Sequence, residues 1–138
     1  MSDNKPQTLT KVLCIEDDRS VIKLYARAFA RAGYEVTFEQ DGIKGLALAK
    51  SDRYDIILLD LMLPNLSGIE ILKELRDPVQ TPNLHAKIVI STNLEQQDEA
   101  RTDIEQQVDG YFIKADITPS QLVEFLSHFD TTKEIPIK

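Results

Sequence analysis

Polar side chains whose types suit metal or phosphate chemistry stand directly after short apolar runs of the sequence. They are Glu16, Asp17, Asp18, Asp60, Ser91, Thr92 and Lys114. Apolar runs of this length predict buried strands, and the carboxyl ends of parallel strands meet at one edge of a sheet. We therefore expect these carboxylates, hydroxyls and one ammonium group to share a single site.

The predicted carboxylate cluster favours a divalent cation. Glu16, Asp17 and Asp60 would converge at the sheet edge, and three carboxylates so close cannot all remain ionised unless a cation joins them. Oxygen ligands with room for water suit Mg²⁺, and Mn²⁺ could use the same ligands. Zinc is disfavoured because the cluster contains no histidine and Cys14 lies inside a predicted strand.

A carboxylate beside a bound cation, a lysine and a hydroxyl can accept a phosphoryl group. In this hypothesis an oxygen of Asp60 attacks phosphorus. Negative charge then grows on the phosphoryl oxygens, where the cation, the Lys114 ammonium and the Thr92 hydroxyl can stabilise it. Positioning and electrostatics would do most of the catalysis.

Strand-type and helix-type patterns alternate along the chain, which predicts repeated βα units around a largely parallel sheet. Strands are predicted over residues 11–16, 34–39, 54–60, 86–92 and 110–114, with a helix after each. The third run is almost wholly apolar, so we expect it to lie at the centre of the sheet with helices on both faces.

The spacing of apolar residues predicts which side of each helix faces the core. The second helix should pack through Ile43, Leu46, Ala47, Ala49 and Lys50. The fourth helix, over residues 95–107, is so polar that only Ala100, Ile104 and Val108 can pack. We therefore expect the fourth helix to be held weakly to the core.

Length and composition predict one soluble domain. The chain has 138 residues, 42% of them hydrophobic and 28% charged, enough to bury a core without disulfides. The formal net charge of -7 would repel nucleic acid and anionic membranes. A single cysteine and the lack of a long apolar stretch predict a cytoplasmic protein. Residues 1–9 and 131–138 are expected to be short flanking tails.

The ordered set of motifs over residues 10–130 resembles the receiver domain of two-component response regulators. The resemblance rests on Glu16-Asp17, Asp60, Pro64, Gly68, Thr92, Tyr111 and Lys114. It implies an α/β fold of the doubly wound (βα)5 flavodoxin-like type, with a five-stranded parallel sheet in the strand order 2-1-3-4-5.

The resemblance also implies roles at the metal end of the site. Asp60 would be the phosphoacceptor, Asp17 would bind Mg²⁺ directly, and Glu16 would act through water. The backbone carbonyl of Met62 would complete the protein ligands of the metal. Asp18 competes with Asp17 for the metal role, although the count to Asp60 favours Asp17 and leaves Asp18 to cap the following helix.

A switch is implied as well. Thr92 would move toward the phosphoryl group and the ring of Tyr111 would turn inward, with Ser91 as the competing hydroxyl. One departure from the family lies after Lys114, where Ala115 replaces a proline that often follows a cis peptide bond. Because a cis bond before alanine costs about 3 kcal/mol, we expect a trans bond or an altered loop.

The expected function is that of a stand-alone receiver, which is a signalling protein and not an enzyme acting on other molecules. A histidine kinase or histidine phosphotransfer protein would supply the phosphoryl group, and a downstream protein would be bound in trans. Homodimers could form through the last two strand-helix units. The alternative is an interaction module that has lost its phosphorylation chemistry.

Enzyme classes fit the sequence less well. An aspartyl-phosphate hydrolase of the haloacid dehalogenase type would need a second aspartate two residues after Asp60, where this chain has Met62. A nucleotide-binding enzyme would need a glycine-rich phosphate loop after the first strand, and none follows it.

Overall fold

The computed structural model, which describes residues 9–93 and 98–129, contains a parallel sheet covered by helices on both faces. Its elements are β1 (Lys11–Ile15), α1 (Arg19–Ala32), β2 (Glu35–Glu39), α2 (Gly42–Lys50), β3 (Ile56–Asp60), α3 (Gly68–Leu75), β4 (Lys87–Thr92), α4 (Asp98–Glu105), β5 (Gly110–Ile113) and α5 (Pro119–Ser127). The strands lie in the order β2-β1-β3-β4-β5, which confirms the predicted flavodoxin-like topology.

The sheet separates two hydrophobic cores. Alternate side chains of a strand point to opposite faces, so Ile57 and Leu59 face α2, α3 and α4, whereas Ile56 and Leu58 face α1 and α5. Every residue of β3 is buried, and its neighbours are β1 and β4. The prediction that the third strand is central is confirmed.

Local signals in the sequence set the ends of the helices. The side chain of Asp18 accepts hydrogen bonds from the first backbone N–H groups of α1, and the helix ends at Gly33. Ser67 and Glu70 form a reciprocal capping box at the start of α3. Thr118 caps α5 in the same way. These caps satisfy N–H groups that have no partner inside the helix.

The predicted packing side of α2 is partly wrong. Ile43 and Ala47 are exposed, whereas Leu46 and Ala49 are buried together with Gly42 and Gly45. The reason is the close approach of α2 to β1, because a Cβ atom on Gly45 would lie 2.8 Å from Ile15. The glycines belong to the buried side of this helix, so a pattern that counts only larger apolar residues assigns the wrong side of α2 to the core.

The fourth helix is as polar in the structure as its sequence predicts. Ile104 is its one residue assigned to the buried cores among the described residues, and Val108, just after it, is partly buried. Ala100 is exposed, so its predicted packing role is wrong. The predicted start at residues 95–97 lies outside the described residues, and the helix ends at Glu105 rather than at residue 107.

The predicted tails fall almost wholly outside the described residues. No helix within the described residues is both long and apolar enough to cross a membrane.

The close contact between α2 and β1 gives a test of the fold. We expect Gly45→Ala to lower the free energy of unfolding by about 1–3 kcal/mol, because the added methyl overpacks buried Ile15. Helix propensity alone would raise the free energy of unfolding by about 0.5–1 kcal/mol. The sign of the measured change therefore distinguishes overpacking from helix propensity. Urea denaturation measures it, and the double variant Gly45→Ala with Ile15→Val should recover part of the loss.

Candidate functional site

Asp60 is held by hydrogen bonds to both of its carboxylate oxygens. It is the last residue of β3 and is only 3% exposed. Its Oδ2 accepts from Lys114 Nζ at 2.9 Å, and its Oδ1 accepts from the backbone N–H of Met62 at 2.9 Å. Two charge-assisted bonds fix the orientation of the carboxylate, which matches what a positioned nucleophile needs.

The loop after β3 folds back on the strand and so delivers the Met62 N–H. The N–H of Gly68 donates to the carbonyl of Leu61 at 3.1 Å, and a Cβ atom on Gly68 would lie 2.3 Å from the Asp60 carbonyl oxygen. Only glycine allows this approach. Asn65 adds a second tie, since its amide donates to the Asp41 carboxylate at 2.6 Å.

Three carboxylates gather at this edge of the sheet as the sequence predicts. Oxygens of Glu16, Asp17 and Asp60 all lie within 4.8 Å of one another. Asp17 is exposed, whereas Glu16 is 1% exposed and accepts a hydrogen bond from the Asp18 N–H at 3.1 Å. Asp18 itself caps α1. The geometry therefore brings Asp17 into the cluster and gives Asp18 a structural role.

Lys114 links two members of the cluster. Its ammonium is ion-paired with both Glu16 and Asp60, and its side chain is 8% exposed. Burial raises the pKa of Glu16, and the hydrogen bond from Lys114 opposes part of that rise. Burial acts to lower the pKa of Lys114, but the bonds to Glu16 and Asp60 outweigh it, so the pKa lies above its ordinary value. The lysine therefore keeps its charge.

The donor set fits a hard divalent cation. Three carboxylates outnumber the single ammonium by two formal charges, and a divalent ion would balance that excess. All of these donors are oxygens, as Mg²⁺ prefers. The proposed ligand role of the Met62 carbonyl stays a prediction, since the contact that the structure gives for this residue is its N–H on Asp60.

The two candidate hydroxyls lie on opposite faces of β4. Ser91 is paired in register with Asp60, and its carbonyl accepts from the Leu61 N–H at 3.3 Å. Thr92 is fully buried and, by strand alternation, shares its face of the sheet with Tyr111, which is paired with Ile90. This placement favours Thr92 over Ser91 as the partner of Tyr111.

Tyr111 has a neighbour that sequence reasoning did not identify. The guanidinium carbon of Arg101 on α4 lies 4.6 Å from the centre of the Tyr111 ring, within the range of a cation–π contact. The Tyr111 hydroxyl is buried and finds no hydrogen-bond partner within the structure's described residues. Burial also raises the pKa of Tyr111. The spacing of these two residues carries no pattern that would pair them in the sequence.

The departure after Lys114 leaves the backbone regular. The peptide bond between Lys114 and Ala115 is trans, as are all the bonds in the described residues. Residues Lys114–Asp116 form a short 3-10 helix that leads toward α5. The lysine still reaches both carboxylates from this turn, so the missing proline does not displace it from the site.

Known proteins resemble this chain in sequence and in fold. The response regulator ArlR of Staphylococcus saprophyticus is 35% identical over 106 residues, which cover 77% of this chain and 46% of that protein. The chain thus spans about half the length of the curated relatives it matches.

Two solved structures illustrate the similarity in fold. The chemotaxis response regulator CheY4 of Vibrio cholerae is 28% identical, with a TM-score of 0.74 and coverage of 88% of this chain and 99% of the other. The receiver domain of sensor histidine kinase PA1611 from Pseudomonas aeruginosa has a magnesium ion coordinated in its active site cleft. It is 24% identical, with a TM-score of 0.74 and coverage of 88% and 98%.

The sequence profile of the response regulator receiver domain matches residues 12–127. This range runs from β1 to the end of α5 and includes every residue of the acidic cluster as well as Lys114. With the fold, the order of the motifs and the match in agreement, the chain belongs to the response regulator receiver domain family.

Proposed function

We propose that the protein accepts a phosphoryl group on Asp60 from a histidine kinase or histidine phosphotransfer protein. The observation that supports this most directly is the environment of Asp60. Lys114 and the Met62 N–H bind its two oxygens, and Glu16 and Asp17 stand within 4.8 Å. A carboxylate in a purely structural role has no need of two further carboxylates beside it.

The roles of the side chains follow from their positions. An oxygen of Asp60 forms a bond to phosphorus while the bond from phosphorus to the donor imidazole breaks, and the electron pair leaves with the imidazole. Lys114 is close enough to follow the developing charge on the phosphoryl oxygens. Thr92 would contribute its hydroxyl on the side of the site nearer to β5.

Glu16, Asp17 and Asp60, with the Met62 carbonyl, would hold Mg²⁺, and Mn²⁺ would suit the same oxygens. When bound there, the cation would neutralise charge on the phosphoryl oxygens during transfer. The magnesium recorded in the PA1611 receiver domain supports this proposal.

Output would come from a shift between two states. Thr92 and Tyr111 share one face of the sheet, so a hydroxyl drawn toward the phosphoryl group would vacate space beside the ring. The polar helix α4 suits such a shift, because it places little apolar area in the core. A phosphoryl group that contacts one state more favourably would increase the population of that state.

The exposed surface of α1 suits an acidic phosphodonor. Arg19, Lys23, Arg27 and Arg31 recur every fourth residue and are all exposed. Like charges at this spacing destabilise a helix, so they fit a surface that meets opposite charge on a partner. Beside them a groove of about 480 Å³ runs between α1 and α5, where Leu24 is 52% exposed.

The downstream partner is less well defined. The matched relatives are longer than this chain, so action in trans, absence of nucleic acid contact and homodimers through the last two strand-helix units all stay predictions. The protein would catalyse only its own phosphorylation and dephosphorylation.

The phosphoacceptor can be tested by mass spectrometry. Acetyl phosphate with Mg²⁺ should add about 80 Da to the wild-type protein, and Asp60→Asn should gain nothing under the same conditions. An unmodified wild-type protein would favour the phosphorylation-independent interaction module instead. A modified Asp60→Asn protein would assign the phosphoryl group to another residue.

The role of Lys114 predicts opposite effects on two measurements. Lys114→Met should slow labelling by acetyl phosphate by about 10²-fold, since one charged donor to the phosphoryl oxygens is lost. It should also tighten Mg²⁺ binding, because the ammonium no longer competes for the carboxylates. Isothermal calorimetry and a labelling time course measure the two effects.

Controls separate this role of Lys114 from stability. Loss of a buried ion-pair partner is destabilising, so Lys114→Arg, which keeps the charge, should fold well and label faster than Lys114→Met. Lys44→Met removes an exposed lysine on α2 and should match the wild type. Normal labelling by folded Lys114→Met would contradict the role.

The basic face of α1 predicts a difference between two donors. The double variant Lys23→Glu with Arg27→Glu should reduce phosphotransfer from a histidine kinase by about tenfold at low salt, and leave labelling by acetyl phosphate unchanged. The kinase is the one that labels the wild type best in a panel. The matched control, Lys44→Glu with Lys73→Glu, reverses two exposed charges on α2 and α3. An equal loss of phosphotransfer in that control would show that net charge, and not the basic face of α1, causes the loss.

A further inference from the structure

The contact between Arg101 and Tyr111 joins α4 to the switch. The guanidinium carbon lies 4.6 Å from the ring centre, and Nε of the same arginine donates to Glu105 Oε1 at 3.1 Å, one helical turn along α4. The arginine side chain is 37% exposed. It therefore reaches the ring from the solvent side while it stays anchored to its own helix.

The other side of Tyr111 is in a different environment. The ring packs against the hydrophobic core that β4 shares with α2, α3 and α4. Its hydroxyl is buried without a hydrogen-bond partner in the part of the chain that the structure describes. A buried polar group left in this way is unfavourable, so the hydroxyl opposes the position that the ring occupies.

Two opposing interactions thus act on one ring. The unsatisfied hydroxyl favours departure of Tyr111 from its present position, and the arginine contact favours its retention. An arginine suits the second task because its planar, permanently charged group stacks on an aromatic face. Since α4 contributes little to the core, the contact between Arg101 and Tyr111 is a large part of the interaction between this helix and the ring.

We infer that Arg101 is a positioning residue for Tyr111, and that its stack on the ring sets how often the unphosphorylated protein visits the switched state. The inference rests on the proposed switch of Thr92 and Tyr111. The ring cannot turn and keep the stack, because Glu105 holds the arginine on α4. Arg101 therefore acts against switching.

Two variants should change the balance in opposite directions. Arg101→Gln removes the stack and should raise the population of the switched state about two- to fivefold, the factor that corresponds to an exposed cation–π contact. Tyr111→Phe removes the unsatisfied hydroxyl and should lower that population. Arg101→Lys keeps a cation but loses the planar stack, so we expect an intermediate value.

Two measurements read the population. The first is the dissociation constant for beryllium trifluoride with Mg²⁺, a mimic of the phosphoryl group on a carboxylate. By linkage, a ligand that prefers the switched state binds more tightly by the factor gained in its population. The second is fluorine NMR of protein labelled with 3-fluorotyrosine. The chain has four tyrosines, and the Tyr111 signal is the one that is absent from the spectrum of Tyr111→Phe.

The expected result is a two- to fivefold lower dissociation constant for Arg101→Gln, with the Tyr111 signal displaced toward that of the wild-type complex. Unchanged affinity and signal in folded Arg101→Gln would overturn the inference. Glu105→Gln loosens the hold of α4 on the arginine but leaves the guanidinium in place, so we expect a displacement in the same direction that is smaller than in Arg101→Gln. Arg31→Gln, at the exposed end of α1, controls for loss of one positive charge.

Failure of the proposed function would look different. A wild-type protein that binds no beryllium trifluoride and gains no phosphoryl group would refute phosphoacceptance at Asp60. A wild-type protein that binds beryllium trifluoride and gains the phosphoryl group, with unchanged affinity in Arg101→Gln, would refute the inference about Arg101 alone.

Discussion

The ion pairs of Lys114 with Glu16 and Asp60 are the interaction on which the site depends. They join the ends of three strands, since the lysine follows β5 whereas the two carboxylates follow β1 and end β3. Buried carboxylates are tolerated only when they are paired, so the lysine makes the acidic cluster compatible with folding. In the proposed reaction the charge that stabilises the free protein would also face the phosphoryl group, so one residue would serve both stability and chemistry.

A parallel sheet is what makes this convergence available. All five strands run in one direction, so residues far apart in the sequence finish at the same edge. Hydrogen bonds then refine the positions, as where the Met62 N–H reaches Asp60 because Gly68 lets α3 start against the end of β3. Asn65 ties that loop to the cap of α2. Topology brings the groups near, and loop contacts set their orientation.

Much of this could be predicted from sequence because it rests on strong local patterns. Apolar runs marked the strands, and the cap formed by Asp18 distinguished it from Asp17. The predictions that were wrong or missing concern contacts between different helices and strands. Ile43 and Ala47 appeared to face the core because the buried side of α2 includes glycine, which apolar periodicity ignores. Arg101 was missed because a side chain crossing from a helix to a strand leaves no spacing signature.

The two ends of the site differ in how firmly they are held. Around Asp60, charged hydrogen bonds and buried strands leave little freedom, which suits its proposed role as a nucleophile. Around Tyr111, one stacked arginine opposes one unsatisfied hydroxyl. The arginine contact contributes about 0.5–1 kcal/mol, and the unsatisfied hydroxyl costs about 1–3 kcal/mol. The proposed switch needs free-energy differences of this size, because a single new phosphoryl contact would have to reverse them. If the ring were held more strongly, a phosphoryl group on Asp60 could not shift the proposed equilibrium between the two positions of Tyr111.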